Sequence, residues 1–465
     1  MSLSALARRL RARELSPREA VQAYLERIDE LDKDVNAYIT VRAEEALADA
    51  EALELSGERG PLYGVPLAIK DVIDVAGVPT TAASKILGDV AAVRDAEAVA
   101  RLRKAGAVIL GKLNTHEFAY GAMTTSPHFG PAQNPWALDR ICGGSSGGSG
   151  AATAAGLAAG TLGTDTGGSI RIPACFCGVT GLRPSTGRVS NAGVVPVAWS
   201  FDTVGPIAPT AEDCALLLGV IAGYDSADPG TLDVEVPPYL EAISGGISGL
   251  RIGVVTALFE SGVDPEVARV AEEAIGELRG LGGAVEAVDV PFFEQAGTAQ
   301  QALQFPEAST AHLEWLRTRL GDYGADVRAR LLAGLFVPAT AYVTGQRARR
   351  IFYEEILRVF ERFDLLVSPT MPVAAPRIGE DVVELDGRAI PYRLSLIRFN
   401  SPWSLVGSPV ASVPCGFVDG LPVGLALIGR RLDEASVLRA AHAFQSATDW
   451  HLRRPELHAA GVEVS

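Results

Sequence analysis

Gly143-Gly144-Ser145-Ser146-Gly147-Gly148-Ser149-Gly150 and Gly163-Thr164-Asp165-Thr166-Gly167-Gly168-Ser169-Ile170-Arg171 are the two stretches on which the reading of this chain turns. Glycine lets a backbone approach another molecule closely and adopt positive φ. A turn such as Thr166-Gly167-Gly168-Ser169 can therefore aim several N–H groups at one oxygen. Beside a serine hydroxyl, that is the equipment of acyl transfer, a nucleophile with an oxyanion hole. Taken alone, a Gly/Ser block is more often a turn or a linker than a site. What changes the balance is a third element upstream, the apolar run Gly64-Val65-Pro66-Leu67-Ala68-Ile69-Lys70. An amine of ordinary pKa, ~10.4, is a poor base at neutral pH, and burial is what lowers it. An apolar run ending in lysine provides for that burial.

Other assignments of the same residues fare worse. Gly144-Ser145-Ser146-Gly147-Gly148 fits the nucleophile-elbow pattern, which would make Ser146 the nucleophile with His442 as the nearest late partner. That pattern is short. The block lacks the Gly-Lys-Ser/Thr ending of a phosphate-binding loop. The six histidines (116, 128, 312, 442, 451 and 458) show no metal or triad spacing. Cys175-Phe176-Cys177 is too tight for a zinc knuckle, and the odd total of five cysteines does not form a disulfide framework, so buried thiols are expected.

Working outward, short apolar strands alternate with helical segments, which predicts an α/β layer architecture. Strands are expected at 107–111, 160–164, 251–255, 364–368, 410–414 and 423–429. Helices are expected at 96–105, 265–281, 341–363 and 434–447. Residues 1–58 read as helical, opened by the capping box Ser16-Pro17-Arg18-Glu19 and followed by Val21, Leu25, Ile28 and Leu31 at helical spacing. Residues 185–209 read as Gly/Pro-punctuated loop and short strand, 225–249 as a Pro/Gly-rich surface excursion, and 292–334 as a helical insertion. Asp165 and Arg171 read as a bracing ion pair, Ser146 and Thr164 as supporting hydrogen-bonding residues.

The chain has 465 residues, 48% hydrophobic and 21% charged, which is enough apolar material for a large core. A net charge of −15 argues against a broad nucleic-acid footprint. No apolar run is long enough for a membrane span. A cytoplasmic enzyme is expected.

The two Gly/Ser blocks with Lys70 resemble the amidase signature family. So do Gly111-Lys112-Leu113-Asn114, Asn134-Pro135-Trp136, Gly181-Leu182-Arg183-Pro184 and Ser412-Val413-Pro414-Cys415-Gly416. The resemblance runs over nearly the whole chain and is weakest from about 225 to 360. It implies a single amidase domain over 1–465, an α/β/α sandwich around a large mixed β-sheet with the N-terminal helices packed outside. It implies that Ser169 attacks the carbonyl, that Ser145, after a cis Gly144–Ser145 bond, relays protons, and that neutral Lys70 is the base. Thr166, Gly167, Gly168 and Ser169 would form the oxyanion hole. No metal or cofactor is called for.

Within the family the chain resembles both the A subunit of glutamyl-tRNA amidotransferase and stand-alone amidases. Where that subunit carries an acid that holds the glutamine amino group, this chain has Ile397, followed by Arg398. Tyr120 and Ala122-Met123 also depart from it. These differences favour a stand-alone enzyme on a small linear amide, an aryl or alkyl amide, carbamate or ester. Tyr120, Met123, Phe399 and Trp403, with Phe118 and Trp199, are the candidate pocket residues. A homodimer is allowed for. The glutaminase-subunit reading stays open as the alternative.

Overall fold

The computed structural model describes residues 1–56, 59–88 and 90–457. An 11-stranded mixed sheet organises them. In chain order its strands are β1 (Tyr38–Val41), β2 (Pro66–Lys70), β3 (Val108–Leu113), β4 (Gly160–Asp165), β5 (Thr180–Arg183), β6 (Thr203–Ala208), β7 (Arg251–Val255), β8 (Ala284–Val288), β9 (Leu365–Pro369), β10 (Val410–Val418) and β11 (Leu421–Gly429). Their spatial order is β1-β3-β2-β4-β6-β5-β10-β11-β9-β7-β8. β3, β2 and β4 run parallel, as do β9, β7 and β8, while the strands between pair antiparallel.

β2 is apolar up to its last residue, Lys70, because neighbours flank it on both edges and helices cover both faces. All five of its residues are buried. Its side chains alternate between two cores. Leu67 and Ile69 join the core that holds Leu3, Leu6 and Leu10 of the first helix. Ala68 points the other way, with Val21, Leu25 and Ile28 of helix Pro17–Val35 and with Ala151 and Ala152 of helix Gly147–Ala154. The N-terminal helices thus form part of the outer layers. The capping box forms, with Ser16 Oγ accepting from Glu19 N and Glu19 reaching back to Ser16 N.

Two expectations change. Residues 1–58 are not helical throughout: Tyr38–Val41 is an edge strand, antiparallel to β3. Asn36, in the left-handed region, stops the helix before it. Four residues of aromatic and β-branched type between two helices are too short to show a period of their own. Residues 57 and 58 lie outside the described residues. The excursion 225–249 is also not confined to the surface, since Tyr239, Ile243 and Ile247 are buried in the main core. Strands β5 and β8 add to the expected set, whereas β7 and helix Glu434–Ala447 keep their expected bounds. The insertion is helical, as Phe293–Ala311, Leu313–Thr318 and Ala325–Leu335. All five cysteines are buried free thiols.

Candidate active site

β2 ends at Lys70, and its parallel neighbour β4 ends at Asp165, so the ends of two adjacent strands bring Lys70 and the second glycine block to one place. Lys70 is fully buried. Its Nζ donates to Ser145 Oγ at 2.7 Å and to Thr164 Oγ1 at 2.8 Å. Burial pulls the Lys70 pKa down to about 7, and the negative charges of Asp165 and Asp202 only partly restore it. The amine therefore loses its proton near neutrality.

Ser145 is held through its backbone. The Gly144–Ser145 peptide is cis. The Ser145 carbonyl accepts from His116 N at 3.1 Å, Thr115 Oγ1 at 2.9 Å and Thr124 Oγ1 at 3.1 Å. Ser146 N donates to the Ser169 carbonyl at 3.2 Å, which ties the two glycine loops together. Gly144 has no room for a side chain: a Cβ there would stand 2.6 Å from Met123 N. Ser146 is itself fully buried and donates to the Thr164 carbonyl at 3.2 Å, so it is not presented to substrate as an elbow nucleophile would be.

The second loop is built around Asp165. Its carboxylate accepts from Gly168 N at 2.8 Å and Ile170 N at 3.1 Å, and from Arg171 Nη2 at 2.8 Å and Nε at 3.0 Å. Arg183 Nη1 donates to the Asp165 carbonyl at 2.6 Å. Burial alone would raise this carboxyl, but the guanidiniums of Arg171 and Arg183 hold it well below the usual range. The Asp165–Arg171 pair therefore braces the loop. Gly168 sits at φ +131°, and a Cβ there would meet Ile172 and Asn400. Ser169 and Gly167, in an otherwise buried stretch, reach a cavity.

Of the four residues expected to form an oxyanion hole, one has its N–H engaged elsewhere. Gly168 N–H is turned toward Asp165 rather than the cavity, because that carboxylate is the charge that closes the turn. Among the described residues the N–H groups of Gly167 and Ser169 have no protein acceptor. Thr166 is pinned from both ends, its hydroxyl donating to Asp202 at 2.5 Å and its carbonyl accepting from Gln300 at 2.9 Å. Asp202 also accepts from Val197 N and Ala198 N, and burial pushes its carboxyl up to about 6.

The cavity beside Ser169, about 40 Å³, is lined by Tyr120, Ile172, Gln301, Gln304, Arg393 and Ile397 among others. Of the sequence candidates Tyr120 lies on it. Met123 lies on a wider adjoining cleft of about 490 Å³. Phe399, which caps helix Tyr392–Arg398, and Trp403, on helix Ser401–Val406, are buried in the core, where large side chains are best desolvated, and do not line the cavity. Phe118 packs against His312 and Trp315, and Trp199 is 72% exposed. Sequence reading missed Asp202, Gln300, Gln301, Gln304 and Arg393. None sits in a motif, and the three glutamines come from the weakly matching middle of the chain.

The profile of the Amidase family matches residues 19–438. The chain belongs to the amidase signature family. It is a hydrolase of that family acting on carbon–nitrogen bonds. The A subunit of the glutamyl-tRNA(Gln) amidotransferase of Geobacter metallireducens is 42% identical over 96% of this chain and 97% of its own. An amidase of Pseudomonas putida is 44% identical over 99% of each. Among solved structures, one described as a vestigial protein complex revealing the origins of an s-triazine catabolic enzyme superposes with a TM-score of 0.92. It is 37% identical and covers 96% of this chain and 98% of that one. No helix among the described residues is long and apolar enough to cross a membrane.

Proposed function

We propose that this member of the amidase signature family is a stand-alone serine amidohydrolase that cleaves a small amide through Ser169, Ser145 and Lys70. The observation that carries the reading is the Lys70 Nζ–Ser145 Oγ contact of 2.7 Å, made by a fully buried amine. Neutral Lys70 draws a proton from Ser145, which draws one from Ser169 as its oxygen attacks the carbonyl carbon. The tetrahedral oxyanion is met by the N–H groups of Gly167 and Ser169, which carry no other acceptor, with Thr166 held beside them. Ser145 then returns a proton to the leaving amine. Water repeats the cycle and releases the acid. Thr164 gives Lys70 a second fixed partner, so the ammonium formed on proton uptake is hydrogen-bonded where it stands.

The glutaminase-subunit reading is favoured by the amidotransferase relatives. Against it stands the cavity lining, which has Ile397 and no acidic side chain to hold an amino group. The deciding experiment is product release by the purified chain alone, on glutamine, aliphatic amides, anilides and carbamates, with Ser169→Ala as control. Turnover of an amide other than glutamine, lost in the variant, supports the stand-alone enzyme. Activity on glutamine only, or only with partner proteins, supports the glutaminase reading.

A further inference from the structure

Arg393 opens the short helix Tyr392–Arg398 and lines both the Ser169 cavity and the wider cleft beside it. Among the described residues its guanidinium has no hydrogen-bond or ion-pair partner; it lies over the Phe305 ring, 5.8 Å from the centroid. Its neighbours differ. Arg398, on the same helix, is paired with Glu294 and donates to the Ser261 carbonyl. Arg330 donates to the Tyr120 carbonyl and to Asp326.

The acids within reach do not neutralise Arg393. Asp326 already binds His116 and Arg330, at 2.8 and 2.7 Å. Asp381 lines the wider cleft but is exposed and makes no ion pair with Arg393. Burial and the charge of Arg330 lower the Arg393 pKa to about 10, which still leaves it charged at neutral pH. A half-buried guanidinium without an acceptor is unfavourable unless something else supplies one. Its planar fork matches a carboxylate. Two carboxamides, Gln301 and Gln304, line the same cavity, and none of its lining residues is acidic.

We propose that Arg393 is the anion-binding residue of the Ser169 cavity, and that the substrate is a small amide carrying a carboxylate and no adjacent ammonium group. The proposal rests on the amidohydrolase reading above. Arg393 and Ser169 line one cavity, which suits a carboxylate a few bonds from the scissile carbonyl, as in the monoamides of short dicarboxylic acids.

The test compares succinamate and glutaramate with glutaramide, which replaces the carboxylate by a neutral carboxamide. The kcat/KM ratio of glutaramate to glutaramide is expected to be about 100, and to fall to within a few-fold of 1 in Arg393→Gln, as loss of a charge-assisted bond dictates. Arg393→Lys should restore part of the preference, and melting temperatures would show that the variants fold. A ratio near 1 in the parent chain, or one that survives Arg393→Gln, overturns the proposal. Calorimetric binding of glutaramate to Ser169→Ala, with and without Arg393→Gln, reads the same contact without turnover. Arg393-dependent binding by a chain that cuts no amide would refute the hydrolase reading and keep the anion site. Absence of binding to Ser169→Ala would overturn the anion site alone.

Discussion

The floor of the site and its wall are built on different terms. Lys70, Ser145, Thr164, Asp165 and Arg171 are buried at strand ends and in glycine loops, each with named partners at hydrogen-bond distance. Gln301, Gln304, Arg393 and Ile397 are half-buried, lie on helices of the middle and late chain, and face the cavity. A buried polar network tolerates few alternatives, because any unpaired member is costly. A cavity wall has only to suit its ligand. On the proposed mechanism the chemistry is set in the floor and the choice of substrate in the wall. Substitutions in the two should differ in both size and kind.

The largest effect is expected in the floor. Ser169→Ala and Lys70→Ala should each lower kcat by roughly 10⁴- to 10⁶-fold, and the double variant should be little worse than the poorer single one, as for residues acting as a unit. Product-release rates of the three variants check this, and multiplicative losses would mean that the lysine and the serine act separately. The pH profile makes the same point. With Lys70 depressed to about 7, it is protonated and inactive as a base below that value. In the acid limb kcat/KM should rise about tenfold per pH unit and level off above about pH 7. A flat profile across that range would remove Lys70 from the role of base.

Next in size is the brace. Asp165→Asn leaves Arg171 and Arg183 buried without their counter-charge, which should cost about 3–5 kcal/mol. Thermal or urea unfolding would measure it. A stability loss under about 1 kcal/mol, within the range of an exposed pair, would show that the loop closes without this charge. Gly168→Ala should cost about 1–3 kcal/mol, since the added methyl meets two side chains at a positive φ.

What the sequence made legible follows the same division. The glycine loops and Lys70 could be read because close backbone approach and the buried base of the proposed mechanism demand those residue types, whatever the substrate. The segment that forms β2 stood out as an apolar run ending in Lys70, and helix Pro17–Val35 by its capping box. Tyr38–Val41 was hidden by its length, and β5 by its length and the glycine inside it. Arg393 and the glutamines are ordinary residues on ordinary helices, and only the fold brings them to Ser169. Large aromatics drew attention to Phe399 and Trp403 for the opposite reason: their bulk fits a pocket wall and a core equally well, and here the core takes both.

The smallest expected effect tests the wall by addition. Ile397 is half-buried on the cavity and has no counter-charge for an amino group. Ile397→Asp would place a carboxylate where the α-ammonium of glutamine needs one. The gain is bounded, because a partly solvated pair contributes only about 1 kcal/mol, so glutamine kcat/KM should rise about 5-fold relative to glutaramate. The new carboxylate also stands one turn from Arg393 on the same helix, and if the two pair with each other, activity on anionic amides should fall while glutamine gains nothing. Paired kinetics on the two substrates separates these outcomes. A rise for glutamine alone would show that the wall selects by local charge over a floor left unaltered. A fall on both substrates, with kcat reduced, would show that floor and wall are coupled and break the comparison.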